Sequence, residues 1–215
     1  MTKVAIFDID NTILKSRSSE RLFIKSLYRK DIVTTMDFLR FVFTFLTKLI
    51  CLNGIHIKNN KSYLKGKDVK TFELEATRCF QDEIVPYISA QALKEIQEKK
   101  ESGYIIVLLS GTLDVLIKQF KDYCNADVAI GTNLERVDGH LTGELQGTHA
   151  YGPGKAKLLS DLAQKMEIDL KNSYAYADHF SDIKFLCMVG NPVAVNAHPG
   201  LRLYARIKGW PVVTF

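Results

Sequence analysis

Two aspartates one residue apart, Asp8 and Asp10, close the first apolar run of the chain, VAIFDIDNTIL at residues 4–14. Residues two apart on a strand face the same side. Two unpaired carboxylates cannot be left in a core, so the strand must deliver them to its carboxyl end, where open parallel sheets form ligand crevices. Two carboxylates ~4 Å apart repel by ~4 kcal/mol at an effective dielectric of ~20, so a cluster of such acids calls for a cation. An all-oxygen donor set suits Mg²⁺. The bland alternative is that Asp-Asn-Thr only caps a turn.

Three later stretches carry related chemistry. The run Tyr104–Leu109 ends in Ser110-Gly111-Thr112, a hydroxyl and a flexible residue whose amide can approach an anion at the start of a helix; Ser110 alone reads equally well as a helix cap. Lys155 opens a helix after Gly152-Pro153-Gly154, against the helix dipole, where a lysine is ordinarily solvated surface. YADHFSD then supplies Asp178 and Asp182 around His179 and Ser181, either of which aspartates would also serve as an N-cap. As a set, the four stretches converge on phosphate chemistry.

The elements needed to position them are legible as short apolar runs: Val4–Phe7, Tyr104–Leu109, Asp127–Ile130, Tyr174–Ala177 and Val193–Val195. They alternate with helical patterns, one of them capped by Ser89 and ended by Gly103. This alternation predicts an α/β fold, a parallel sheet sandwiched by helices. Asp138-Gly139 predicts a β-hairpin at the sheet edge. Residues 15–83 are too long for a loop and lack strand runs. They predict an inserted helical cap, leaving 1–14 and 84–215 as the core domain. Within the cap, FLRFVFTFLTKLICL at 38–52 reads as a mostly apolar helix with a narrow polar stripe. It is short for a membrane span and interrupted by Arg40 and Lys48, so packing within the cap or in a homodimer is expected, and no membrane partner.

Hydrophobic residues make up 47% and charged residues 25% of the chain, which excludes extensive disorder. Cys51, Cys79, Cys124 and Cys187 are scattered without disulfide or zinc spacing, and fit a reducing cytoplasm. The N-terminus lacks the long uncharged stretch of a secretory signal. Residues 15–75 hold 13 Lys/Arg against 6 Asp/Glu. No nucleic-acid recognition motif accompanies that excess, and a small anionic substrate accounts for it with less.

DIDNT, SGT, a lysine and ADxxxD in that order resemble the haloacid dehalogenase (HAD) superfamily of phosphohydrolases, specifically its phosphoserine-phosphatase-like branch with a helical cap. The likeness extends through SYAYADHFSDIKFL and NPVAVNAHPGLRLYARIKGWPV. It implies a Rossmann-like three-layer core and a Mg²⁺-dependent phosphatase acting on a small phosphomonoester through an aspartyl phosphate. Asp8 would be the nucleophile and Asp10 the general acid and base. Asp8, Asp178 and the Asp10 main-chain carbonyl would hold Mg²⁺, and Asp182 would orient Lys155 or a metal-bound water. Ser110, Gly111 and Lys155 would grip the phosphoryl oxygens, with Asn11, Thr12 and Ser181 assisting. Arg17 stands where phosphoserine phosphatases usually carry a glutamate for the substrate amine, and Ser181 where they carry asparagine. Phosphoserine itself is therefore not the expected substrate.

Three rivals use overlapping residues. A signalling receiver domain would need its phosphoacceptor aspartate where Ser110 stands, and has no counterpart of the cap. A catalytically idle binding protein would not need competent residue types at all four motifs. Phosphoryl transfer to an alcohol in place of water requires the same residues as hydrolysis.

Overall fold

The computed structural model describes residues 2–50 and 60–215. Among these residues seven strands form one sheet: β1 Val4–Phe7, β2 Ile105–Leu113, β3 Val128–Val137, β4 His140–Gln146, β5 Tyr174–Ala177, β6 Asn191–Val195 and β7 Val212–Val213. Their order is β4-β3-β2-β1-β5-β6-β7. All neighbours are parallel except β3 and β4, the hairpin turning at Asp138-Gly139 on the sheet edge. The DIDNT strand is therefore central, and its carboxyl end opens where the strand order reverses.

Alternation along β1 decides the layers. Ala5 and Phe7 face one apolar cluster and Val4 and Ile6 the other, all four fully buried. The second cluster is covered by α6 Pro153–Met166, α7 Ile183–Leu186 and α8 Pro199–Lys208. The first is covered by α4 Ala90–Glu101 and α5 Asp114–Tyr123. Ser89 caps α4 as expected, its hydroxyl accepting from the Ala92 amide at 3.3 Å.

Among the described residues between β1 and α4 lie α1 Ser19–Arg29, α2 Thr35–Ile50, a 3-10 turn Ser62–Leu64, α3 Val69–Cys79 and a π-helical turn Phe80–Ile84. Phe23, Phe72 and Phe80 of this stretch join the same apolar cluster as Phe7 and Phe120. Each such side chain contributes about 1.5–3 kcal/mol by leaving water, so the helical stretch is seated on the sheet by a continuous core.

Two expectations need revision. Strand β2 does not end at Leu109: after an irregularity its pairing with β3 resumes, Leu113 opposite Thr132, so Ser110-Gly111-Thr112 lie inside the strand and α5 begins only at Asp114. The apolar run at 38–52 is not buried as a whole. Phe38 and Phe41 pack on the core, whereas Met36, Leu39, Val42, Phe43 and Leu46 are exposed. Cys51 and Leu52 lie outside the described residues. No helix among the described residues is long and apolar enough to cross a membrane.

Candidate active site

The Asp8 amide donates to the Tyr176 carbonyl at 3.0 Å, which carries strand geometry one residue past Phe7 and aims the first carboxylate over the sheet edge. The chain then turns sharply. Asn11 adopts φ 57°, a left-handed conformation that asparagine tolerates. Two bonds hold it there: its Nδ2 donates to Asp178 Oδ2 at 3.1 Å, and its carbonyl accepts from Asn196 Nδ2 at 2.7 Å. The turn places Asp10 against the first turn of α1, where its Oδ1 accepts from the Ser19 amide at 2.9 Å and the Ser19 hydroxyl at 2.7 Å. Burial raises the Asp10 pKa above the ordinary carboxylate value. The Ser19 bonds offset this only in part, and the neighbouring Asp8 charge adds to it.

Lys155 is buried, not solvated. Gly152 and Pro153 start α6, and at Gly154 a Cβ would come within 1.9 Å of the His149 carbonyl, so the helix entry requires glycine at that close approach. That entry aims Lys155 inward: Nζ donates to Asp8 Oδ1 at 2.7 Å and to Asp182 Oδ2 at 2.8 Å. Burial works against its charge, but Asp8 and Asp182 outweigh it and hold the ammonium well above its ordinary pKa.

The three carboxylates Asp8, Asp178 and Asp182 each offer an oxygen, all within 4.8 Å of one another. One ammonium therefore faces three buried acids. Desolvation, with the Asp8 charge behind it, pushes Asp178 up to about 7 despite the Asn11 bond. Asp182 Oδ1 is buried and has no hydrogen-bond partner among the described residues. Surplus negative charge, hard oxygen donors and an orphaned oxygen together fit a divalent cation.

A cavity of about 630 Å³ opens over this cluster. Ser110 and Gly111 line it, but from the irregular stretch of β2, not from a helix N-terminus. The expectation that the Gly111 amide starts a helix is corrected accordingly: resumed pairing at Leu113 keeps the segment in the sheet. Ser181 lies at the cavity edge with its hydroxyl 3.0 Å from His179 Nδ1. Thr12 does not line the cavity. Its side chain is fully buried, with no partner for its hydroxyl among the described residues, and its amide closes the turn by donating to the Ile9 carbonyl at 3.1 Å.

Several residues that hold the site together carried no signal in the motifs. Ser19 Oγ is 3.1 Å from Thr112 Oγ1, and Thr112 Oγ1 is 3.1 Å from Ser110 Oγ. Ser19 was within reach of a sequence reading, since Ser18-Ser19-Glu20 is good helix-start chemistry. Asn196, some 185 residues from the turn it anchors, was not. On the far wall, Glu20 accepts from Tyr63 at 2.5 Å and pairs with Lys61, while the Arg17 guanidinium lies 5.0 Å over the Tyr87 ring.

This geometry has known company. The model of the haloacid dehalogenase-like hydrolase family matches residues 5–186, and the chain belongs to that family. A phosphoserine phosphatase of Mycobacterium tuberculosis is 28% identical over 222 residues, 100% of this chain and 71% of that protein. The histidinol-phosphatase of Neisseria meningitidis serogroup C is 28% identical over 226 residues, covering 100% of both chains. Among solved structures, a phospho-aspartyl intermediate analogue of phosphoserine phosphatase superposes with a TM-score of 0.65 at 21% identity, over 99% of this chain and 93% of that one. The structural likeness agrees with the fold.

Proposed function

We propose that this hydrolase is a Mg²⁺-dependent phosphatase that cleaves a phosphomonoester through an aspartyl phosphate on Asp8. The observation that supports it most is the seat of Asp8: one carboxylate oxygen is tied to Lys155 at 2.7 Å, at the floor of a cavity, with two further buried acids beside it. The metal would be held by Asp8, Asp178 and the Asp10 main-chain carbonyl. When bound it supplies positive charge against the phosphoryl oxygens.

Asp8 attacks phosphorus, the bond to the leaving oxygen breaks, and Asp10 gives that oxygen its proton. Asp10 then removes a proton from a water that attacks phosphorus, releasing phosphate and restoring the Asp8 carboxylate. Lys155 orients Asp8 and, with the Ser110 hydroxyl and the Gly111 amide, stabilises the charge on the phosphoryl oxygens. Asp182 positions Lys155. Residues 15–83 act as a cap over a core formed by 1–14 and 84–215, excluding bulk water from the acyl phosphate.

A phosphate-release assay on a panel of phosphomonoesters, with and without Mg²⁺, tests this together with Asp8→Asn. The expected outcome is metal-dependent release lost by at least about 1,000-fold in the variant. Full activity in Asp8→Asn would remove the nucleophile assignment.

A further inference from the structure

The cavity over the acid cluster has two kinds of wall. Carboxylates, Lys155 and Ser110 line it from the core, and Ile24 of α1 with Phe38 and Phe41 of α2 line it from the helical stretch, beside Glu20, Arg21 and Lys61. Ile24, Phe38 and Arg21 also line a second groove of about 360 Å³ between α1 and α2, which Tyr28 and Lys25 complete. An apolar wall is thus shared between the phosphate end and a groove on the surface.

The face of α2 next to that groove is apolar as well. Met36, Leu39, Val42, Phe43 and Leu46 are all exposed, Met36 by 70% and Phe43 by 68%. At ~100° per residue they fall within one arc of about 120°, a contiguous apolar surface of the kind that marks a contact site. Arg21 and Lys25 stand at the groove with no ion-pair partner among the described residues, and no acid lines it. An apolar helix face beside unpaired cations complements an anionic lipid surface. A two-fold contact between copies through this face would bring the same cations together.

We infer that the substrate is an amphiphilic phosphomonoester taken from such a surface: its phosphate enters the acid cluster, and a single hydrocarbon chain on the leaving group runs over Ile24 and Phe38 into the α1–α2 groove. The outer face of α2 rests on the lipid while this occurs. The inference rests on the phosphatase reading, with the P–O ester bond cleaved by water to give phosphate and a free lipid alcohol.

The test compares glycerol 3-phosphate with its 1-oleoyl ester in detergent micelles, alongside p-nitrophenyl phosphate, and measures sedimentation with vesicles of phosphatidylcholine with and without phosphatidylglycerol. The acyl ester is expected to exceed glycerol 3-phosphate in kcat/KM by about 100-fold, the worth of a few buried methylenes. The chain is expected to sediment with the anionic vesicles, and Leu39→Asp/Phe43→Asp, checked for folding by circular dichroism, is expected to lose sedimentation. Equal rates on the two glycerol esters, with p-nitrophenyl phosphate turned over, would overturn the substrate class while leaving the phosphatase. Turnover of no ester would remove the phosphatase reading and the substrate class with it, and sedimentation would still decide the docking face. A dimer through α2 that micelles do not dissociate, or undiminished sedimentation of the double variant, would overturn that docking face.

Discussion

Asp10 and Ser110 are joined through two hydroxyls: Asp10 Oδ1 accepts from Ser19 Oγ at 2.7 Å, Ser19 Oγ lies 3.1 Å from Thr112 Oγ1, and Thr112 Oγ1 lies 3.1 Å from Ser110 Oγ. The chain passes from the DIDNT turn through α1 to β2, three segments distant in sequence. It ties the proposed proton donor to the proposed phosphate ligand, so the two are set at a fixed spacing before any substrate arrives.

Removing the middle of this chain tests Asp10 as proton donor. Ser19→Ala leaves the Ser19 amide bonded to Asp10 but deletes the hydroxyl bridge, and a hydrogen bond to a charged group is worth about 1.5–3 kcal/mol. We expect kcat/KM on an alkyl phosphate, which reports the step that phosphorylates Asp8, to fall about 10–100-fold. The fall should be much smaller on p-nitrophenyl phosphate, whose leaving group departs without a proton. Equal losses of kcat/KM on both esters would show that Ser19 does not act through protonation of the leaving group.

Lys155 gives the sharpest stability prediction. It is buried between Asp8 and Asp182, and removing one partner from a buried ion cluster costs about 3–5 kcal/mol. Lys155→Met should lower the urea midpoint accordingly in metal-free buffer, and millimolar Mg²⁺ should restore part of the loss by supplying positive charge. A variant as stable as the parent would mean that the Lys155 pairs with Asp8 and Asp182 do not hold the fold.

How far the site was legible follows from the range of its contacts. Asp8 and Asp178 end strands whose apolar runs are local, so their meeting at one sheet edge could be read from sequence. The burial of Lys155 followed only from the resemblance: its partner Asp8 lies 147 residues away, and the one local hint was a lysine set against the helix dipole. Ser110 was read at a helix start because Leu109 ends the apolar run; pairing between Leu113 and Thr132, a tertiary fact, keeps the segment in the sheet. The run at 38–52 shows the same limit. Its composition marks a buried helix, but which arc meets a neighbour depends on where α1 and Tyr63 lie, and among the described residues of the run Phe38 and Phe41 find them.

Metal binding should register as stability. Ligand at about 100 times its Kd adds about 2.7 kcal/mol to the folded state, which for a chain of this size moves Tm by about 5–10 °C. Mg²⁺ should produce a shift of that order by calorimetry. Asp178→Asn, which removes a donor and the Asn11 contact's charged partner, should abolish most of it. An undiminished shift would place the ion elsewhere.

Acid should loosen α2 through Asp37. Burial opposes ionisation of this carboxylate, but Lys67 at 2.6 Å and the Thr34 amide and hydroxyl outweigh it and hold its pKa below the ordinary value. A folded pKa below the unfolded one means that the unfolded chain binds the proton more readily. The stabilisation is therefore complete above the unfolded value of about 4 and is lost as pH falls through the folded value. Between about pH 5 and pH 2.5 the parent should lose more stability in urea than Asp37→Asn, whose side chain does not titrate. Because Asp37 binds the start of α2 to Lys67, acid should also expose the apolar groove beside Phe38, read as a rise in binding of an apolar dye that precedes global unfolding. Parallel stability curves for the two proteins would show that Asp37 does not govern the acid limb.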